Sequence, residues 1–119
     1  MVSSFFEMAE NLTEFKGTVD EFTAFVKQQN RLVVADFFAT WCGPCQRVLK
    51  LLPGIAKENP DVTFVEINTD ENEELSTAYE VQSIPHIRFL KEEGGEIKRL
   101  GLTVGANVPQ IKENIQKYK

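Results

Sequence analysis

The chain has 119 residues, 42% of them hydrophobic and 26% charged, the composition of one globular domain rather than of a disordered chain, a fibre or two domains. A domain of this length buries roughly 60–70% of its unfolded surface and folds without disulfide staples or a structural metal, so its two cysteines need another explanation. Thirteen Lys plus Arg against eighteen Asp plus Glu leave a net charge of -5, which repels polyanions and argues against nucleic acid and anionic membrane surfaces as partners.

Residues 1–11 read as an N-terminal extension and residues 12–119 as the folded domain. No apolar run approaches the roughly 20 residues that cross a bilayer, and the opening residues lack the basic-then-apolar pattern of an export signal. A soluble, cytoplasmic protein is therefore expected, in which a disulfide is working chemistry rather than scaffolding.

Thr18-Val19-Asp20-Glu21 reads as a capping box opening a helix whose buried stripe is Val19, Phe22, Phe25 and Val26. Leu32 to Phe38 is a continuous run of β-formers, too short for a typical helix, which suits a central strand covered on both faces. Asp36 is the anomaly in it. After Trp41-Cys42-Gly43-Pro44-Cys45, the spacing of Val48, Leu49, Leu52, Ile55 and Ala56 predicts a second helix, with a kink expected at Pro53. Val62 to Asn68 is the next strand, and Asp70 with Glu73 repeats the capping pattern before a short helix lined by Leu75, Ala78 and Tyr79. Ile84-Pro85 stops helical structure. His86 to Lys91 and Glu96 to Leu102 flank Gly94-Gly95 as an antiparallel hairpin, and Val108, Ile111, Ile115 and Tyr118 mark an amphipathic terminal helix. This order predicts an α/β fold, a mixed sheet between helices.

Two cysteines three residues apart can form a disulfide if the first lies at a helix N-terminus and the second one turn inside. That placement separates their chemistry. Unpaired N–H groups and the positive end of the helix dipole favour a thiolate on Cys42, whereas burial favours the thiol of Cys45; Cys42 is the expected attacking sulfur and Cys45 the resolving one. The competing readings are half of a zinc site, for which two thiols and one histidine, His86, are too few ligands in a single chain, and two unrelated core cysteines. An ionised carboxylate at Asp36, inside an apolar strand, costs several kcal/mol unless paired or neutralised, so its pKa is expected to be raised.

Ala35-Asp36-Phe37-Phe38-Ala39-Thr40-Trp41-Cys42-Gly43-Pro44-Cys45, followed by Ile84-Pro85, resembles the thioredoxin family over about residues 12–119. The resemblance implies the thioredoxin fold, with helices on both faces of the sheet, and a dithiol that reduces protein disulfides. It implies that Pro85 is cis and packs against the dithiol, that Ile84 pairs with a bound client through its backbone, and that Asp36 takes a proton from the second cysteine. Trp41, Pro44, Ile84, Pro85 and the loop at Val104-Gly105 are expected to form an apolar platform for clients, with Gly101 the competing choice for that glycine. It further implies an NADPH-dependent thioredoxin reductase as electron donor, peroxiredoxins and other oxidised proteins as clients, a role in electron transport and cell redox homeostasis, a monomer, and neither cofactor nor metal.

Several residues depart from the family pattern. Phe38 replaces a second Trp, Lys50 stands where a helix-kinking Pro is usual, Glu66 occupies the position of a lysine that lies near the buried aspartate in many bacterial relatives, and His86 replaces Thr. His86 has two readings: an imidazolium that stabilises the Cys42 thiolate near pH 6–7, or an ordinary, partly exposed histidine. Gly43-Pro44 adds no positive charge to the thiolate and argues for a reductant. The alternatives are a disulfide isomerase or oxidase, and a non-catalytic binding module on the same fold.

Overall fold

The computed structural model describes residues 9–119. In chain order the elements are β1 (Leu12–Phe15), α1 (Val19–Gln29), β2 (Val33–Phe38), α2 (Gly43–Glu58), β3 (Thr63–Asn68), a 3-10 turn (Thr69–Glu71), α3 (Glu73–Ala78), β4 (His86–Glu93), β5 (Glu96–Val104) and α4 (Val108–Tyr118). They build one five-stranded sheet in the order β1-β3-β2-β4-β5. β1 and β2 run parallel to β3, and β4 runs antiparallel to both of its neighbours, β2 and β5.

β2 sits in the middle, and all its residues are buried. Val34 packs with Phe64, Ile87 and Phe89 under α2 and α4, through Val48, Leu52, Ile111 and Ile115. On the other face Val33, Ala35 and Phe37 pack with Phe22 and Val26 of α1, Leu75 of α3 and Tyr79. Burial on both faces is why the strand reads as an unbroken apolar run instead of alternating. The capping box of α1 is present as expected, with Thr18 Oγ1 accepting from Glu21 N and Glu21 Oε1 accepting from Thr18 N. Gly94 and Gly95 both take positive φ, which a two-residue hairpin turn of the primed type requires.

The structure departs from the expectations at the ends of elements. β1 is not among the expected elements: four residues with two half-buried side chains carry too short a pattern to show a period. Of the expected extension, residues 1–8 lie outside the described residues, while Ala9 is buried and Asn11 Nδ2 donates to the carbonyls of Ala56, Asn59 and Val62 at 2.8–2.9 Å. The cap expected from Asp70 and Glu73 is a correction. A 3-10 turn intervenes, Asn68 Oδ1 accepts from Asp70 N, and Asn72 occupies the N-cap position of α3 with no side-chain cap bond. Asn72 is instead turned inward, accepting from Gly17 N and donating to the carbonyls of Phe15 and Asn68. Pro53 lies inside α2, and the helix continues through it to Glu58.

Candidate active site

The C-terminal end of β2 delivers the chain through Ala39 and Trp41 to the start of α2. Cys42 is the N-cap of that helix, in extended conformation, and Pro44 occupies its first turn, where a missing N–H leaves no hydrogen bond unmade. Cys42 and Cys45 form a disulfide with their Cα atoms 5.3 Å apart. The Cys45 backbone N–H donates to Cys42 Sγ at 3.2 Å, so the sulfur takes the place that a capping oxygen usually fills. Cys45 is completely buried and Cys42 retains 6% of its surface; of the two, Cys42 is the one a partner can touch. Phe38, Ala39, Leu49 and Ile84 pack around the pair.

The second half of the site arrives from the loop before β4. The Ile84–Pro85 peptide bond is cis, and Ile84 O lies 3.9 Å from Cys42 Sγ. Pro85 O accepts from Gly105 N at 2.8 Å, and Gly105 takes a φ of +92°, a region that favours glycine. Gly105, rather than Gly101, is therefore the glycine beside the cis-proline. Gly101 lies inside β5, opposite Phe89, where the Tyr118 ring approaches to 2.6 Å of the position a Cβ would take.

Trp41 is 72% exposed, and its Nε1 donates to Asp70 Oδ2 at 3.0 Å. Nothing in the local sequence marks Asp70 as a site residue. It reaches Trp41 only because β3 lies next to β2, so that the turn after β3 and the turn after β2 meet at one end of the sheet. Val104 is also exposed, which leaves an apolar rim around the dithiol made of Trp41, Pro44, Ile84 and Val104.

Asp36 lies two residues beyond Val34 on β2, so strand alternation puts it on the face covered by α2, the helix that carries Cys45. It is buried, neither carboxyl oxygen has a hydrogen-bond partner among the described residues, and its sheet neighbours are Glu66 on β3 and Ile87 on β4. Burial, and after it the charge of Glu66, push its pKa up to about 8. A structural aspartate hydrogen-bonded to local backbone is not what this position holds.

Both readings of His86 need correction. It is only 3% exposed, it stands edge-on to Phe37, and its Nε2 accepts from Arg88 Nε at 3.1 Å. Burial first, then the charges of Arg88 and Arg99, push its pKa down to about 4. At neutral pH the ring is uncharged and an acceptor, so the imidazolium expected beside Cys42 does not form. The cation that could have warned of this, Arg88, is two residues along the same strand and therefore on the same face.

A sequence model of the family described as Thioredoxin matches residues 14–117. The chain belongs to the thioredoxin family. It is 39% identical over 110 residues to the thioredoxin of Geodia cydonium, covering 91% of this chain and 100% of that protein. The structure of Trichomonas vaginalis thioredoxin superposes with a TM-score of 0.89 at 47% identity, covering 93% of this chain and 100% of that one. A further chain, from a structural study of the thiol resolving mechanism in yeast mitochondrial 1-Cys peroxiredoxin via glutathione/thioredoxin systems, aligns with a TM-score of 0.78 at 30% identity over 89% of this chain and 94% of that one. The fold is the thioredoxin fold, and the chain is a thiol-disulfide oxidoreductase that reduces protein disulfides. Among the described residues, no helix is long and apolar enough to cross a membrane.

Proposed function

We propose that Cys42 is the attacking sulfur, Cys45 the resolving sulfur and Asp36 the proton acceptor in this reduction. In the reduced protein the Cys42 thiolate attacks one sulfur of a client disulfide, the second client sulfur leaves as a thiolate, and Cys42 is joined to the client in a mixed disulfide. The Cys45 S–H proton then passes to the Asp36 carboxylate, Cys45 attacks Cys42 Sγ, and the client leaves as its second thiolate. Two electrons have moved from the dithiol to the client, and the Cys42–Cys45 disulfide remains.

The observation that carries this reading is the unequal setting of the two sulfurs: Cys42 Sγ receives the Cys45 N–H at a helix N-terminus while Cys45 itself is sealed inside. The N–H and the helix dipole favour negative charge on Cys42 before the client arrives. Asp36, pushed up to about 8, lies close to the ordinary thiol range of about 8.5, which is where a group exchanges a proton with a thiol most readily in both directions.

Trp41, Ile84, Pro85 and Gly105 form the client platform in this reading. An extended client segment lies along the backbone at Ile84, pairs with it through main-chain hydrogen bonds, and rests its apolar side chains on Trp41. Gly43 and Pro44 keep the turn free of positive charge, which suits a reductant working as a monomer in the cytoplasm, in electron transport and redox homeostasis. Peroxiredoxins are a fitting client class, since a related chain comes from a study of peroxiredoxin resolution, and an NADPH-dependent thioredoxin reductase is the fitting electron donor.

The test is coupled reduction of insulin disulfides with NADPH and purified thioredoxin reductase. NADPH consumption is expected to require this chain, to disappear in Cys42→Ser, and to accompany a reduction potential near about -270 mV, the figure already known for thioredoxin itself. A potential nearer about -180 mV with no coupled turnover would identify an isomerase-type protein instead.

A further inference from the structure

β1, β3 and β2 lie side by side and parallel, in a register that sets Glu14 opposite Glu66 and Glu66 opposite Asp36. The three carboxyl groups share the face that also carries Leu12, Phe64 and Val34. Along this row burial deepens, from exposed Glu14 at the sheet edge, through half-buried Glu66, to fully buried Asp36. Adjacent strands are only about 4.8 Å apart, and like charges directly opposite one another are unfavourable. A row of this kind acts on its innermost member, which has no solvent to screen it.

Among the described residues, the elements packed against Asp36 turn apolar side chains toward it. On the opposite side of Asp36, β4 presents Ile87. α2 turns Cys45, Val48 and Leu52 toward the sheet, while its charged residues Arg47, Lys50, Lys57 and Glu58 are exposed. α4 turns Val108, Ile111 and Ile115 inward, and its Lys112, Glu113 and Lys117 are exposed. The charge acting on Asp36 comes from Glu66, and the charge acting on Glu66 comes from Glu14.

We propose that Glu66 is a positioning residue for the proton of Asp36: its charge, backed by that of Glu14, keeps Asp36 able both to take a proton from Cys45 and to return it. During resolution the Cys45 S–H bond breaks and an Asp36 O–H bond forms; when the disulfide is next reduced, the same proton goes back to the Cys45 sulfur. No electron moves in this exchange. With Glu66 neutral, Asp36 becomes a stronger acid and a weaker acceptor for a thiol proton. The row thus tunes a group that touches neither client nor solvent, and the proposal rests on the assignment of Asp36 as the acceptor for Cys45.

The experiment separates the two ideas. The Asp36 carboxyl carbon is titrated by NMR in the full chain and in Glu66→Gln, Glu66→Lys and Glu14→Gln, and the pH profile of client release from the mixed disulfide is recorded by stopped flow for the same proteins. Glu66→Gln is expected to lower the Asp36 midpoint by about one pH unit, Glu66→Lys by more and Glu14→Gln by less. The release profile is expected to move in the same direction, and Glu66→Gln is expected to leave it unmoved in an Asp36→Asn background. An Asp36 midpoint that stays in place in both Glu66 variants overturns the proposal. If the midpoint moves while the release profile does not, Glu66 still governs the Asp36 proton and the assignment of Asp36 as the acceptor for Cys45 falls.

Discussion

Replacing Cys45 by serine is expected to turn the protein from a catalyst into a trap, with coupled disulfide reduction lowered at least about 10^3-fold, the scale on which losing one member of a nucleophilic pair acts. The first step survives, because Cys42 keeps its place at the helix N-terminus and the backbone N–H that caps its sulfur comes from position 45 whatever side chain stands there. The second step is lost, because a hydroxyl is neither acidic enough to give up its proton to Asp36 nor able to form a disulfide. Client protein therefore accumulates on Cys42. Non-reducing electrophoresis and intact mass after incubation with an oxidised client check this, and dithiothreitol should release the adduct. Turnover at the wild-type rate would show that resolution comes from elsewhere, from a client thiol or a second molecule.

Asp36→Asn is expected to flatten the dependence of stability on pH. The carboxyl releases its proton near 3.8 in the unfolded chain and near 8 in the fold. Between those values the folded state binds more protons than the unfolded one, so stability is fully present below about pH 4 and declines as pH rises through the folded-state value. From pH 4 to pH 7 this single group removes on the order of 4 kcal/mol. Chemical denaturation at the two pH values reads it directly: the midpoints of wild type and Asp36→Asn should be close at pH 4, and the variant should be clearly the more stable at pH 7. Equal pH dependence in the two proteins would mean that Asp36 is solvated or paired after all. A side chain retained where it weakens the fold at neutral pH is accounted for by work done at the site, which is the role assigned to it above.

Much of this was legible in the order of residues. The apolar run of β2 and its single carboxylate announced both the central strand and the perturbed group, because burial on two faces leaves a polar residue nowhere to hide in the pattern. The Cys42 to Cys45 spacing carried the dithiol, and the cis-proline and Gly105 followed from resemblance to the family. What escaped depends on contacts between segments far apart in the chain. β1 is an edge strand too short to show a period. Asp70 joins the site through a neighbouring turn, and Asn72 caps by position while its side chain ties β1 to the turn after β3. His86 is not legible because its position in the chain points only to Cys42, whereas strand alternation turns the ring toward Phe37 and Arg88. The carboxyl row of Glu14, Glu66 and Asp36 is a property of register between three strands, which no one of those strands contains.

The whole account depends on an unequal pair of sulfurs, and the pH dependence of alkylation of the reduced protein measures that inequality. Iodoacetamide should react at Cys42, identified by mass after digestion, with a midpoint well below the ordinary free-thiol value of about 8.5, while Cys45 stays protected. The same curve should be obtained from His86→Thr, since the imidazole is neutral throughout this range. A Cys42 midpoint at or above that of free cysteine, or faster reaction at Cys45, would contradict the account.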